Sequence, residues 1–150
     1  MTLKLYKNGG DVSAPSRKHK TDAGADLYAP EDAVIPANGF LRYSAGLGVQ
    51  IPEGFVALIF PRSGMTAKGI GMELPPIDAN YTGNIHAILT NHTNEDYQIK
   101  KGDRIGQLVI LPCLMPDFEF YASEAAEQIA KEAIENAGAR GANGFGSTGR

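Results

Sequence analysis

The sequence predicts an all-β fold, a sandwich or barrel, on three observations. Eighteen glycines and nine prolines punctuate short segments rich in Val, Ile, Leu, Phe and Tyr, the rhythm of short strands joined by frequent turns. No period marks an internal repeat, and helical spacing occurs in one late stretch alone. With 150 residues, 43% of them hydrophobic, the chain has the size of one domain with its own core.

Taken in order, strands are expected at Leu3–Tyr6, Ala25–Tyr28, Ala33–Ile35, Phe40–Ser44, Leu47–Gln50, Phe55–Phe60, Ile70–Glu73, Ile85–Asn91, Tyr97–Ile99, Arg104–Pro112 and Asp117–Tyr121. From Ser123 to Ala137 the pattern changes. Ala125, Ile129, Ala133 and Ala137 recur every four residues, flanked by Ala126, Ala130 and Ile134, which predicts one amphipathic helix. Ser123 suits its N-cap, Glu124 its positive end, Glu127 and Lys131 an i,i+4 pair, and Gly138 the position past its end. Its apolar face is mostly alanine, so close but weak packing is expected. Residues 139–150 are too glycine-rich to hold one conformation alone, and with Arg140, Phe145, Ser147, Thr148 and Arg150 they form a candidate lid. The expected organisation is a β-rich core over 1–122, a helix over 123–138 and a mobile tail over 139–150, all in one domain.

Charge and cysteine content exclude several classes. Fourteen Lys+Arg against 17 Asp+Glu give a formal charge of −3 with no basic run, so nothing supplies a footprint for polymeric nucleic acid, and a bound nucleotide should be small. One cysteine, Cys113, excludes an internal disulfide and, within Leu111-Pro112-Cys113-Leu114, is expected as a buried thiol in a reducing compartment. No apolar h-region opens the chain and no run approaches membrane-spanning length, so a soluble cytoplasmic protein is expected. His86 and His92 lack metal-ligand spacing to Cys113 and are expected to be structural.

Five stretches carry chemistry. Pro76-Ile77-Asp78-Ala79-Asn80-Tyr81-Thr82-Gly83-Asn84 places a carboxylate and an aromatic ring three residues apart, with the Asn, Asp and Gly of a tight hairpin. Its backbone could read the edge of a flat ligand such as a nucleobase while Asp78 handles a proton; the alternative is a surface turn with a capping Asp. Pro61-Arg62-Ser63-Gly64 follows an apolar strand and suits a turn or helix start whose free amides, with Arg62 and Ser63, could meet an anion; it is also an ordinary strand exit. Within Lys101-Gly102-Asp103-Arg104-Ile105-Gly106-Gln107, Gln107 stands in an otherwise apolar strand and needs either a structural hydrogen bond or a ligand. Asp22 and Asp26 flank Gly24, an arrangement that suits magnesium near phosphates or, for Asp22 above all, a solvated strand start. In the tail, Arg140 can bond a terminal phosphate while Gly144, Gly146 and Gly149 admit close backbone approach.

Together the segments DAGADLYA, PRSG, IDANYTGN, KGDRIGQLVI and GFGSTG resemble, in sequence and order, the five motifs of the trimeric dUTP pyrophosphatase (dUTPase) family, over nearly the whole chain. The resemblance implies a jelly-roll-like β-clip barrel or sandwich with one C-terminal helix and a flexible C-terminal tail. It also implies a homotrimer with active sites at subunit interfaces and Mg2+-dependent hydrolysis of dUTP to dUMP and pyrophosphate, keeping uracil out of DNA and supplying dUMP for dTMP synthesis. By the same resemblance, Asp78 activates the water that attacks the α-phosphorus and Tyr81 packs against the deoxyribose, excluding a 2′-hydroxyl. Arg62, Ser63, Gly64 and Gln107 bind phosphate oxygens, and Asp26 holds Mg2+ through water. Arg140, Gly146, Ser147 and Thr148 grip the γ-phosphate region while Phe145 stacks on uracil.

Four features depart from the family pattern. Pro75 stands three residues before Asp78 where glycine is usual, which removes an N–H. The run from Lys68 to Asp78 is short, the tail motif reads Arg140-Gly141-Ala142-Asn143-Gly144, and the 123–137 helix is longer than the usual connection. Two rival readings remain, a dCTP deaminase of the same fold, with Glu73 as the acid nearest the hairpin, and a regulatory or interaction protein on a dUTPase scaffold.

Overall fold

The structure is a computed structural model that describes residues 2–8, 11–122 and 124–137. Its strands are β1 (Lys4–Lys7), β2 (Ala25–Tyr28), β3 (Ala33–Ile35), β4 (Phe40–Ser44), β5 (Leu47–Gln50), β6 (Phe55–Phe60), β7 (Ile70–Glu73), β8 (His86–Asn91), β9 (Tyr97–Ile99) and β10 (Arg104–Pro112). Helix α1 (Ser63–Thr66) follows β6, and α2 (Glu124–Ala137) lies near the end of the chain. The expected all-β class is what forms, and most strand limits agree to the residue.

All pairings are antiparallel: β1 with β5, β3 with β9, β10 between β2 and β6, and β8 between β4 and β7. Alternation along these strands turns Leu27, Ile35, Val49, Ile59, Leu89, Ile99 and Ile105 into a shared core, with Ile51, Ile70 and Ile85 filling its ends. Each such side chain, fully buried, contributes about 1.5–3 kcal/mol. The buried amide of Asn91 is satisfied on every side: its Nδ2 donates to the Ile35 and Glu95 carbonyls, and its Oδ1 accepts from Thr93 N–H and Oγ1–H.

The chain divides into two compact units, Met1–Met115 and Pro116–Arg150. In the second, the strand expected at Asp117–Tyr121 does not form; this segment makes no ladder, and Phe118 and Phe120 are almost fully exposed. A strand needs a partner for its amides, and among the described residues this segment has none. Helix α2 forms as its spacing predicts, but Ile129 and Ile134 remain about half exposed, and the i,i+4 contact it makes is Gln128 Nε2 to Glu132 Oε1 rather than Glu127 to Lys131. Ser123 and Gly138, the expected caps, lie outside the described residues, as does the 139–150 tail. Cys113, expected in the core, is part exposed; β10 ends just before it, and its amide turns to the Gly54 carbonyl.

Candidate active site

Two clusters in the first unit gather the residues singled out in the sequence. The first is built on β10 and its neighbours. Asp26 on β2 faces Gln107 on β10, which in turn faces Phe60 at the end of β6. Gly24 has no side chain because Gln107 packs there: a Cβ on Gly24 would lie 2.7 Å from Gln107 Cβ. Regular alternation would send Arg104 and Gln107, an odd number of residues apart, to opposite faces. A β-bulge between Arg104 and Gly106 inserts one residue against β2, and a bulge of this kind re-aims the side chains that flank it. Both consequently reach the same carboxylate.

That carboxylate is the hub of the cluster. Asp26 is 8% exposed; its Oδ1 accepts from Arg62 Nε at 3.1 Å and Gln107 Nε2 at 3.4 Å, and its Oδ2 pairs with Arg104 Nη1 at 3.4 Å. Gln107 thus has the structural hydrogen bond that its apolar setting required. Arg62 and Arg104 also line a cavity of about 550 Å3 with Gly64, Lys68 and Asp103. Ser63 and Gly64 open α1 beside Arg62, and a Cβ on Gly64 would meet nothing within 4 Å. The turn before Arg104 is fixed by Gly102 at φ 87°, with Asp103 N–H donating to the Lys100 carbonyl. Asp22 lies outside this cluster; its Oδ2 accepts the His19 N–H, as a strand-start acid does.

The second cluster is the Asp78 loop, where the expected tight hairpin is corrected. The β7–β8 ladder runs from Ile70 opposite Asn91 to Glu73 opposite Ile88 and stops. Continuing that register would set Pro75 against His86 and Pro76 against Ile85, and prolines have no N–H to ladder with. The two limbs therefore find other partners. Ile77 exchanges both backbone hydrogen bonds with Ala57 on β6, while Ile85 donates to Leu47 and accepts from Ala45. Between them opens a cavity of about 280 Å3 lined by Pro75, Pro76, Asp78, Tyr81, Asn84 and His86, among others.

At the tip, Tyr81 N–H returns to the Asp78 carbonyl, with Asn80 at φ 64°, a left-handed conformation that asparagine tolerates. Tyr81 folds over Gly83, where a Cβ would lie 2.2 Å from its hydroxyl, and that hydroxyl donates to the Asn84 carbonyl. Asp78 is exposed and makes no side-chain hydrogen bond among the described residues, so its carboxylate is available as a proton acceptor. Asn84 Oδ1 is buried without a partner, its Nδ2 reaching Ser44 Oγ at 3.4 Å.

The structure brings Asp26, Arg62 and Gln107 together, with Ser63 and Gly64 adjacent, and brings Asp78 and Tyr81 together in the other cavity. The two cavities share no lining residue. Arg140, Phe145, Gly146, Ser147 and Thr148 lie outside the described residues. Sequence reasoning missed Arg104, Lys68, Asn84 and His86. The bulge hid the first, because nothing in a period-2 pattern announces it.

Among the described residues, no group of three or more His, Cys, Asp or Glu could hold a metal ion. Asp26 offers one carboxylate. Magnesium retains several waters and commonly takes one or two carboxylates plus substrate phosphates, so the cluster fits that ion together with a polyphosphate and not as a cage of its own.

Comparison with known proteins gives a uniform result. The dUTPase family model matches residues 11–149. A deoxyuridine 5′-triphosphate nucleotidohydrolase of Debaryomyces hansenii is 38% identical over 150 residues, covering 99% of this chain and 88% of that protein. Its counterpart from Paramecium bursaria Chlorella virus 1 is 40% identical over 149 residues, covering 99% and 98%. Among solved structures, the Staphylococcus bacteriophage 80alpha dUTPase with dUPNHPP superposes with a TM-score of 0.85 at 30% identity, covering 99% of both chains. A mutant dUTPase from phage phi11 of S. aureus, described with a structural Mg(II) ion, gives 0.76 at 28% identity, covering 83% of this chain and 99% of that one.

Proposed function

The chain belongs to the dUTPase family and is a dUTP diphosphatase, and from that premise we propose how its residues divide the work of hydrolysing dUTP to dUMP and pyrophosphate. Asp78 takes a proton from a water, which attacks the α-phosphorus as pyrophosphate departs. The observation that carries this role is the exposed Asp78 carboxylate, without a side-chain hydrogen bond among the described residues, lining a cavity sized for a small ring. A positioned general base of this kind contributes on the order of 10²–10⁴ in rate.

The splayed limbs support base recognition by backbone. Pro75, Pro76 and His86, where the β7–β8 ladder no longer runs, line the cavity, and uracil between the limbs takes the place of strand pairing. Tyr81, braced over Gly83, packs against the deoxyribose and leaves no room for a 2′-hydroxyl. Arg62, Ser63, Gly64 and Gln107 bind phosphate oxygens, and positioning with charge neutralisation supplies most of the catalysis. Magnesium, when bound, adds positive charge against the phosphate oxygens; Asp26 would hold it through water. From the tail, Arg140, Ser147 and Thr148 hold the γ-phosphate, Gly146 admits close approach and Phe145 covers the base. We further propose a homotrimer with the two cavities completed across subunits, which agrees with their having no lining residue in common among the described residues, and a cytoplasmic setting, which the lone cysteine supports. The product dUMP then feeds dTMP synthesis while uracil is kept out of DNA.

The test is pyrophosphate release from dUTP with Mg2+, with dTTP, dCTP and UTP as competitors, on wild type and Asp78→Ala. The expected result is strong dUTP preference and a fall in turnover on the order of 10³-fold in the variant. Ammonia release from dCTP would overturn the assignment in favour of deamination. Binding of dUTP without turnover by the wild type would favour a regulatory scaffold.

A further inference from the structure

Asp26 is a buried single negative charge held by two guanidinium groups. Arg62 reaches it through Nε alone, so among the described residues its two terminal nitrogens make no hydrogen bond. Arg104 reaches the other oxygen at 3.4 Å through one terminal nitrogen, and its side chain is 46% exposed against 26% for Arg62. Arg104 is therefore the looser tether, and the bulge that aims it leaves it at the rim of the 550 Å3 cavity. Lys68 lines the same cavity. Asp103, the other acid there, already accepts the Lys100 N–H through its carboxylate. Against Asp26 and Asp103, the three cations leave one positive charge in excess, which suits an arriving polyanion.

Asp26 already accepts three hydrogen bonds, which leaves about one acceptor position, on the Oδ2 that Arg104 holds. A hydrated magnesium ion there would meet the charge of Arg104, and this carboxylate alone would hold it weakly, so phosphate oxygens would complete its surroundings; those oxygens are also what the arginines prefer, since guanidinium binds phosphate bidentately.

We propose that Asp26 and Arg104 form an exchange pair: without substrate Arg104 rests on Asp26, and on binding of the magnesium triphosphate it moves to a phosphate oxygen and frees Asp26 for the ion's water. Arg104 is thereby a triphosphate-binding residue in its own right and a competitor of the metal for Asp26. This rests on the dUTPase reading of the same site. The exchange keeps the buried carboxylate paired at every stage, so no charge is left uncompensated while the site is empty or full.

The two halves of the proposal predict effects of opposite sign for one substitution. In Arg104→Gln the triphosphate loses a charge-assisted contact, whereas the metal loses a rival. The experiment uses the full chain and follows Mn2+ binding by electron paramagnetic resonance without nucleotide, and binding of dUPNHPP and dUMP by calorimetry. Expected are dUPNHPP affinity reduced about tenfold or more with dUMP affinity unchanged, and Mn2+ affinity raised about threefold or more. Arg104→Lys, which keeps the charge and loses the fork, should bind dUPNHPP with an affinity between those of wild type and Arg104→Gln. If Arg104→Gln weakens Mn2+, dUPNHPP and dUMP together, or alters none of them, the exchange is overturned. If wild type binds dUPNHPP equally with and without divalent metal, the magnesium reading fails first and the exchange falls with it, a result distinguishable from the others because it is seen before any substitution.

Discussion

Asp26 is held by three side chains, two of them on β10, which is paired on both sides, whereas Asp78 stands exposed on a loop where laddering has already stopped. One carboxylate is fixed by the fold; the other waits for a ligand to complete its surroundings. On the roles proposed above, the difference follows from the task of each. A carboxylate that holds phosphate-binding arginines in place works best preorganised, while one that takes a proton is most useful with its oxygens free. Paired substitutions sharpen the contrast most strongly here. Asp26→Ala strands two arginines beside a buried void and should lower folding stability by about 2 kcal/mol, while Asp78→Ala should leave it within about 0.5 kcal/mol of wild type. Urea midpoints measured at constant ionic strength check both, and equal losses would erase the distinction.

The glycines of the two motifs around the charged cluster divide the same way. A methyl group at Gly24 collides with Gln107 Cβ, whereas one at Gly64 enters open space. Gly24→Ala should cost about 1–2 kcal/mol through overpacking between β2 and β10. Gly64→Ala should be neutral to folding yet raise KM for dUTP, if phosphate approaches the backbone there. Thermal denaturation and steady-state kinetics on the two variants separate a packing glycine from a ligand-contact glycine.

Much of this was legible in the sequence. Alternating Val, Ile and Leu between glycine and proline turns located ten strands because burial on one face imposes a period of two. The motif residues were visible because their types are unusual for their settings, as with Gln107 inside an apolar strand. What stayed hidden depends on where the period breaks. The bulge at Ile105 turns Arg104 toward Asp26, and no local pattern encodes that. Asp117–Tyr121 has strand composition without a strand to pair with, a tertiary fact. Pro75 was seen as a lost amide, but its consequence, the parting of the two limbs of the Asp78 loop, needed the β7–β8 register.

That last point can be tested directly. Replacing Pro75 and Pro76 together by Ala supplies two N–H groups opposite His86 and Ile85. If the prolines hold the limbs apart, hydrogen exchange should slow at residue 86 as the ladder extends, while Ile85, whose N–H is already bonded to Leu47, should not change, and KM for dUTP should rise severalfold as the cavity narrows, with little effect on stability. Unchanged exchange at residue 86 would assign the opening to the Ala57–Ile77 pairing instead.

The smallest effect expected lies at the turn before Arg104, on the fixed side of the comparison. Asp32 accepts the Lys101 N–H and pairs with the Lys100 ammonium, and these bonds hold its carboxyl below the ordinary value of 3.8. A carboxyl depressed in the folded state stabilises the fold above its unfolded value, and that contribution is lost as pH falls through the lower folded-state value. Asp32→Asn removes this ionisation. The difference in urea midpoint between wild type and variant should therefore be constant near neutrality and shrink as the pH falls below the ordinary value of 3.8. The group is fully exposed, so the difference should also fall as salt is raised. No difference between wild type and variant would place the stabilisation in the Lys101 backbone hydrogen bond, which an asparagine oxygen can still accept, and not in charge.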